Sequence, residues 1–136
     1  MKKFELTYMM FCDYALQDNN RKVSLLGIFE NINAKQFPAS IASFVVAGSV
    51  KIMDVEVKKA TIELEVFDPK DKPIGKNKPT ISVNYIPESI GGNERKLNFL
   101  FTINAFSFPE KGKYKFKAIV NSEEVGEVIL DVKQIN

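Results

Sequence analysis

Apolar and polar residues alternate with a period of two along most of the chain, and helical periodicity is nearly absent. In the segment 60–67, ATIELEVF, Ala60, Ile62, Leu64 and Val66 fall on one side, and Thr61, Glu63 and Glu65 on the other. In 113–120, Tyr114, Phe116, Ala118 and Val120 oppose Lys113, Lys115 and Lys117. Leu97, Phe99, Phe101 and Ile103 form a third inner set. Segments of this kind are strands with one face on a core and the other in water. Further strands are predicted over 3–15, 22–33, 43–53, 79–86 and 124–135. The stretches between them, QDNNRK, DPKDKP, PESIGGNE, PEKG and NS, carry turn chemistry. About eight strands at such spacing predict one all-β domain over 1–136, an antiparallel β-sandwich of immunoglobulin-like or C2-like architecture. Within it, FPASIAS (37–43) predicts a single helical turn opened by Pro38. Asn121-Ser122 fits a two-residue hairpin loop, and Gly126 marks a bulge in the returning strand.

Two strands break the alternation. In 3–15, Phe4, Leu6, Tyr8, Met10 and Cys12 form one row while Met9 and Phe11 lie on the other. In 22–33, Val23, Leu25 and Phe29 share a row, and Leu26, Ile28 and Ile32 sit on its reverse. Only one face of a strand meets the core of a two-layer sandwich, so the second face needs a cover. Either the segment NAKQFPASIAS of the same chain supplies it, or another subunit does, with Met9, Phe11, Leu26 and Ile28 as the candidate interface.

Composition narrows the chemistry. A chain of 136 residues, 45% hydrophobic and 26% charged, can bury a core without metal or disulfide support. The net charge of +2 steers neither nucleic acid nor anionic membrane toward it, and Arg21 and Arg95 are its only arginines. No histidine is present, which removes the commonest general base and metal ligand. Cys12, the one cysteine, sits among apolar neighbours and reads as a buried, reduced thiol. Glu5 and Thr7 interrupt the opening apolar stretch and no small-residue cleavage site follows, so the expected compartment is the cytoplasm. No run approaches the roughly 18 apolar residues of a membrane helix.

The stretches 11–39 and 106–132 carry a resemblance. Asp13-Tyr14-Ala15, Ser24-Leu25-Leu26-Gly27-Ile28-Phe29 and Phe37-Pro38, with Phe108-Pro109, Gly112, Tyr114 and Phe116, resemble a family of small prokaryotic proteins known only as a domain of unknown function. The resemblance implies a β-sandwich and a cytoplasmic prokaryotic or phage origin. It implies no activity.

Candidate sites are few. Asp68 and Asp71 share a loop of the kind that gathers calcium ligands in C2-type sandwiches, but Lys70, Lys72 and Lys76 crowd it and repel a cation. Gly91-Gly92 bring backbone amides within reach of an anion, yet no helix follows as a phosphate loop requires. Lys113, Lys115 and Lys117 form a basic row without interleaved aromatics, which suits a solvated or edge-protecting face better than a nucleic-acid track. Asp13 is an acid flanked by an apolar run and stands where the strand gives way to a turn. The expectation is therefore no enzyme, no catalytic residue, no cofactor and no metal. It is a cytoplasmic, self-associating interaction module with a protein partner or a second copy of itself, and no nucleic acid or membrane. The alternative is a binder of a small ligand or nucleotide derivative using loops 68–76 and 87–96; an enzyme of unrecognised type comes third.

Overall fold

The computed structural model describes residues 2–75, 78–84, 86 and 95–136. Ten strands follow in order: β1 (Phe4–Gln17), β2 (Val23–Phe29), β3 (Asn31–Ala34), β4 (Ala39–Ile52), β5 (Ala60–Phe67), β6 (Pro73–Ile74), β7 (Thr80–Val83), β8 (Arg95–Phe108), β9 (Gly112–Val120) and β10 (Glu123–Gln134). They form two sheets, one ordered β2-β1-β4-β8 and the other β3-β10-β9-β5-β6, with β7 also paired to β5. The sheets face each other as a β-sandwich, the architecture the alternation predicts.

The predicted inner rows are the core. Ala60, Ile62, Leu64 and Val66 of β5 are buried beside Tyr114, Phe116, Ala118 and Val120 of β9. The opposite sheet contributes Phe11, Phe44, Val46, Phe99 and Phe101. Aromatic rings join the layers: Phe11 of β1 meets Phe116 of β9 edge-on, with centroids 4.9 Å apart. Such edge-to-face pairs add specific attraction to the burial of large apolar area.

The hairpin between β9 and β10 closes as its residues dictate. Asn121 and Ser122 both have positive φ, 48° and 70°, as a two-residue turn of this hand demands. Asn121 Oδ1 also accepts the Thr61 amide at 2.9 Å, tying the turn to β5. The register then shifts between Glu124 and Gly126, which is the anticipated bulge. Near the start of β9, Tyr114 is fully buried. Its hydroxyl donates to the Glu110 carbonyl at 2.6 Å and accepts the Glu110 amide at 3.1 Å, which pins the corner.

Three features differ from expectation. The 37–43 segment forms no helical turn: β4 starts at Ala39, and Ala39, Ser40 and Ile41 pair with Phe108, Ser107 and Phe106. Pairing along the whole length of β8 outweighs one isolated turn of helix, whose nucleation is unfavourable. The sheets are not wholly antiparallel, because β3 runs parallel to β10. Finally, β1 carries a register shift between Leu6 and Tyr8. A bulge of one residue exchanges the faces beyond it. Phe4 thus faces inward before the shift, and Met9 and Phe11 do so after it.

Candidate functional site

The bulge resolves half of the two-faced strand. Met9 and Phe11 belong to the core and offer nothing to a partner, whereas Leu26 and Ile28 are exposed. The candidate interface of four residues is therefore split between the inside and the outside of the molecule. Residues 33–43 do not cover the outer face either, since from Ala39 they continue the same sheet as β4.

The cover comes from β1 and β2 themselves. Pairing of β1 with β4 stops at Cys12, opposite Val45, while pairing with β2 continues to Gln17. A straight ribbon would carry Arg21, at the hairpin tip, about 20 Å beyond Cys12 at strand rise. Instead the Arg21 carbonyl accepts a hydrogen bond of 3.3 Å from Asn98 Nδ2. Asn98 pairs with Ser49, which stands level with Tyr8, on the opposite side of Cys12. The hairpin has thus folded back across the outer face of its own sheet.

Local chemistry permits the fold. Gly27, which stands between the pairs Cys12–Ile28 and Tyr14–Leu26 beside Asp13, has φ +69°. A Cβ there would lie 2.4 Å from Asp13 Oδ2 and 3.1 Å from Asp13 Cβ. Glycine is favoured on both counts, the left-handed backbone and the close approach of Asp13. At the tip, Asp18 Oδ1 accepts the amides of Asn20 and Lys22 at 2.8 and 2.9 Å, an Asx turn that sets the loop.

Beneath the flap, Cys12 and Ala47 are fully buried, and Val45 nearly so, packed by the cross-strand pair Ala15 and Leu25 and by Leu100. Small side chains at Ala47 and Ser49 let the ribbon lie close. Burial pushes the Cys12 thiol above its ordinary pKa; a hydrogen bond from the Tyr14 backbone opposes this, and the Asp13 charge adds to it. The thiol is free and buried, as its neighbours predict. Above the flap, Tyr14 and Leu26 form the next cross-strand pair and are 57% and 61% exposed. Leu16 follows at 44%, and Ile28, at the bend, is 57% exposed. Tyr14 and Leu16 escape a reading by rows. The signal for the cover was the unbroken run FVVAGSV, 44–50, because a strand without polar alternation is enclosed on both faces.

The other candidates have structural roles. Asp68 repeats the chemistry of Asp18: its Oδ1 accepts the amides of Lys70 and Lys72, both at 2.9 Å. Asp71 is paired with Lys115 at 2.8 Å, and this partner lowers its pKa and raises that of the lysine. The two carboxylates therefore serve a turn and a cross-loop ion pair. Among the described residues no cluster of three or more histidines, cysteines or acids could hold a metal. Lys117 meets Glu124 at 3.2 Å and lies 4.8 Å from the Phe67 ring centroid, so the basic row is partly neutralised. Arg95 is buried, donating to the Asp54 carbonyl at 2.8 Å. Asp13 is exposed at the bend of β1. Lys76 and the Gly91-Gly92 segment lie outside the described residues.

One apolar cleft of about 310 Å³ opens between the sheets beside β8, lined by Leu64, Val66, Ile74, Pro79, Ile103 and Phe106. An ion pair of 2.6 Å between Lys78 and Glu65 stands at its rim. Among the described residues, no helix is long and apolar enough to cross a membrane.

Comparison with known proteins fits this architecture. The model of a Family of unknown function (DUF6941) matches residues 7–133, and the chain belongs to that family. No curated protein matches it. Among solved structures, the alkylpurine DNA glycosylase AlkC of Pseudomonas fluorescens, bound to DNA containing an abasic site analog, is similar with a TM-score of 0.53 at 8% identity. That match covers 96% of this chain and 30% of the glycosylase chain. An immunoglobulin-like protein of Pseudomonas aeruginosa matches over 97% of this chain and 98% of its own, with TM-score 0.42 and 11% identity. A β-glucosidase of Listeria innocua matches over 96% of this chain and 16% of its own, with TM-score 0.48 and 13% identity. At 8% identity the glycosylase match speaks to the fold alone.

Proposed function

We propose that this member of the DUF6941 family is a non-catalytic, self-associating interaction module whose contact surface is the upper side of the β1–β2 flap. The observation that carries the reading is the exposure of Tyr14, Leu16, Leu26 and Ile28 on and beside one short ribbon. Apolar side chains scattered singly are ordinary on a surface, whereas a contiguous group marks an interaction site. The catalytic alternative lacks parts: the chain has no histidine, and its one cysteine is sealed under the flap. A free thiol suits the reducing cytoplasm.

Light scattering at micromolar concentration tests the reading, with a dimer or larger species expected. Leu26→Lys changes little in a monomer, because the side chain is already largely in water. In an apolar contact it strands an ammonium, so the variant should become monomeric while staying folded. A wild-type chain that stays monomeric at high concentration overturns self-association.

A second reading, small-ligand binding, is favoured by the apolar cleft beside β8, to which Pro73, Ile74 and Gly75 of the 68–76 loop contribute. Native mass spectrometry of the protein as isolated decides it: a bound molecule lost in an Ile74→Trp variant supports it, and an unliganded mass with intact self-association excludes it.

A further inference from the structure

The flap surface has a polarity of charge as well as an apolar centre. At its tip, Arg21 and Lys22 are exposed cations. Asp18 shares the tip, its Oδ1 accepting two backbone amides, and its carboxylate offsets one of the two cations, so the tip remains net basic. At the opposite end, Asp13 is an exposed carboxylate at the bend, and Glu30 follows β2 as a second exposed acid. No ion pair among the described residues engages Lys22 or Asp13. The row Tyr14, Leu16 and Leu26 lies between the two ends. The flap is thus basic at one end, acidic at the other and apolar in the middle, a self-complementary arrangement.

We infer that the partner is a second copy of this chain, docked flap to flap in antiparallel fashion about a two-fold axis, with the basic tip of each flap over the acidic bend of the other. This rests on the self-association proposed above and adds the geometry. Two-fold dimers bury the same patch on both subunits, so every contact occurs twice. The face, rather than the edge of β2, makes the contact. Gly27 bends that edge in mid-strand, which interrupts the row of amides and carbonyls that a continued ladder would need.

The test uses charge reversal and mixing on the full chain. Lys22→Glu places two acids opposite each other at both symmetric contacts, and Asp13→Lys places two cations there. Each variant alone should dimerise about tenfold more weakly than wild type, a loss of about 1.4 kcal/mol. Mixed in equal amounts, the two should form heterodimers of restored affinity, because both contacts are then opposite in sign. Native mass spectrometry separates the three species by mass, and the heterodimer should far exceed the statistical half. If Asp13→Lys does not fold, Asp13→Asn mixed with Lys22→Glu should still favour the heterodimer, which keeps one contact of opposite sign while the Lys22→Glu homodimer carries two like-charge contacts. A statistical mixture, or single variants as tight as wild type, overturns the antiparallel docking. If Leu26→Lys still dissociates the dimer in that case, self-association stands and the geometry fails. A monomeric wild type removes both.

Discussion

Replacing Gly27 with alanine probes whether the flap opens by itself. In wild type this residue holds φ +69° at the bend, and an added Cβ would sit 2.9 Å from Asp13 Cγ and 3.1 Å from Asp13 Cβ. A left-handed backbone costs a non-glycine residue about 1–2 kcal/mol. The exposed Asp13 carboxylate can rotate away at small cost, but its Cβ cannot, so about 2 kcal/mol in total is expected. Cys12 is the reporter, being fully buried under Ala15 and Leu25. Its labelling by an aromatic disulfide should be slow, nearly independent of urea at low concentration, and set by flap opening rather than global unfolding. A loss of about 2 kcal/mol in flap closure then raises that low-urea rate about 30-fold. Gly27→Asn keeps the steric overlap but tolerates the left-handed backbone better, so it should fall between. Labelling of Gly27→Ala at the wild-type rate would falsify the bend as the controlling element. Labelling that follows the full urea dependence of global unfolding would show instead that the flap does not open separately.

Two further outcomes follow from the same geometry. Tyr114→Phe removes a hydroxyl bonded both ways to the Glu110 backbone, so the urea midpoint should fall by the equivalent of about 1–2 kcal/mol with unchanged slope; an unchanged midpoint contradicts the pinned corner. Burial raises the pKa of the Cys12 thiol and of the Tyr8 and Tyr114 phenols, so the folded state holds these protons longer than the unfolded chain does. Stability should therefore be fully present below the ordinary thiol value of about 8.5 and fall as pH rises through it and then through the phenol range. Urea midpoints from pH 7.5 to 10.5 check the slope, and Cys12→Ala should flatten its first part; a rising midpoint contradicts the burial.

Much of the molecule was legible in order along the chain. The strands carrying Ala60 to Val66, Leu97 to Ile103 and Tyr114 to Val120 announce their inner rows by strict alternation, since a side chain on the wrong face would put a charge in the core. Asn121-Ser122 and Gly126 announce the last hairpin and its bulge, because their backbone conformations are open to few residues. What alternation cannot carry is the moment at which a strand changes face. The shift between Leu6 and Tyr8 turns Met9 and Phe11 inward, and it appears only when β1 is paired with β4. The fold-back at Gly27 likewise has no periodicity of its own; it is held by contacts from Leu25 to the face of β4 and from Arg21 to Asn98, remote in sequence. The residues by themselves determined that β1 and β2 were apolar on both sides and needed two covers. Tertiary structure decided that the core is one cover and their own hairpin the other, and so left Tyr14, Leu16 and Leu26 on the surface, because register and bending are properties of paired strands and not of one strand alone.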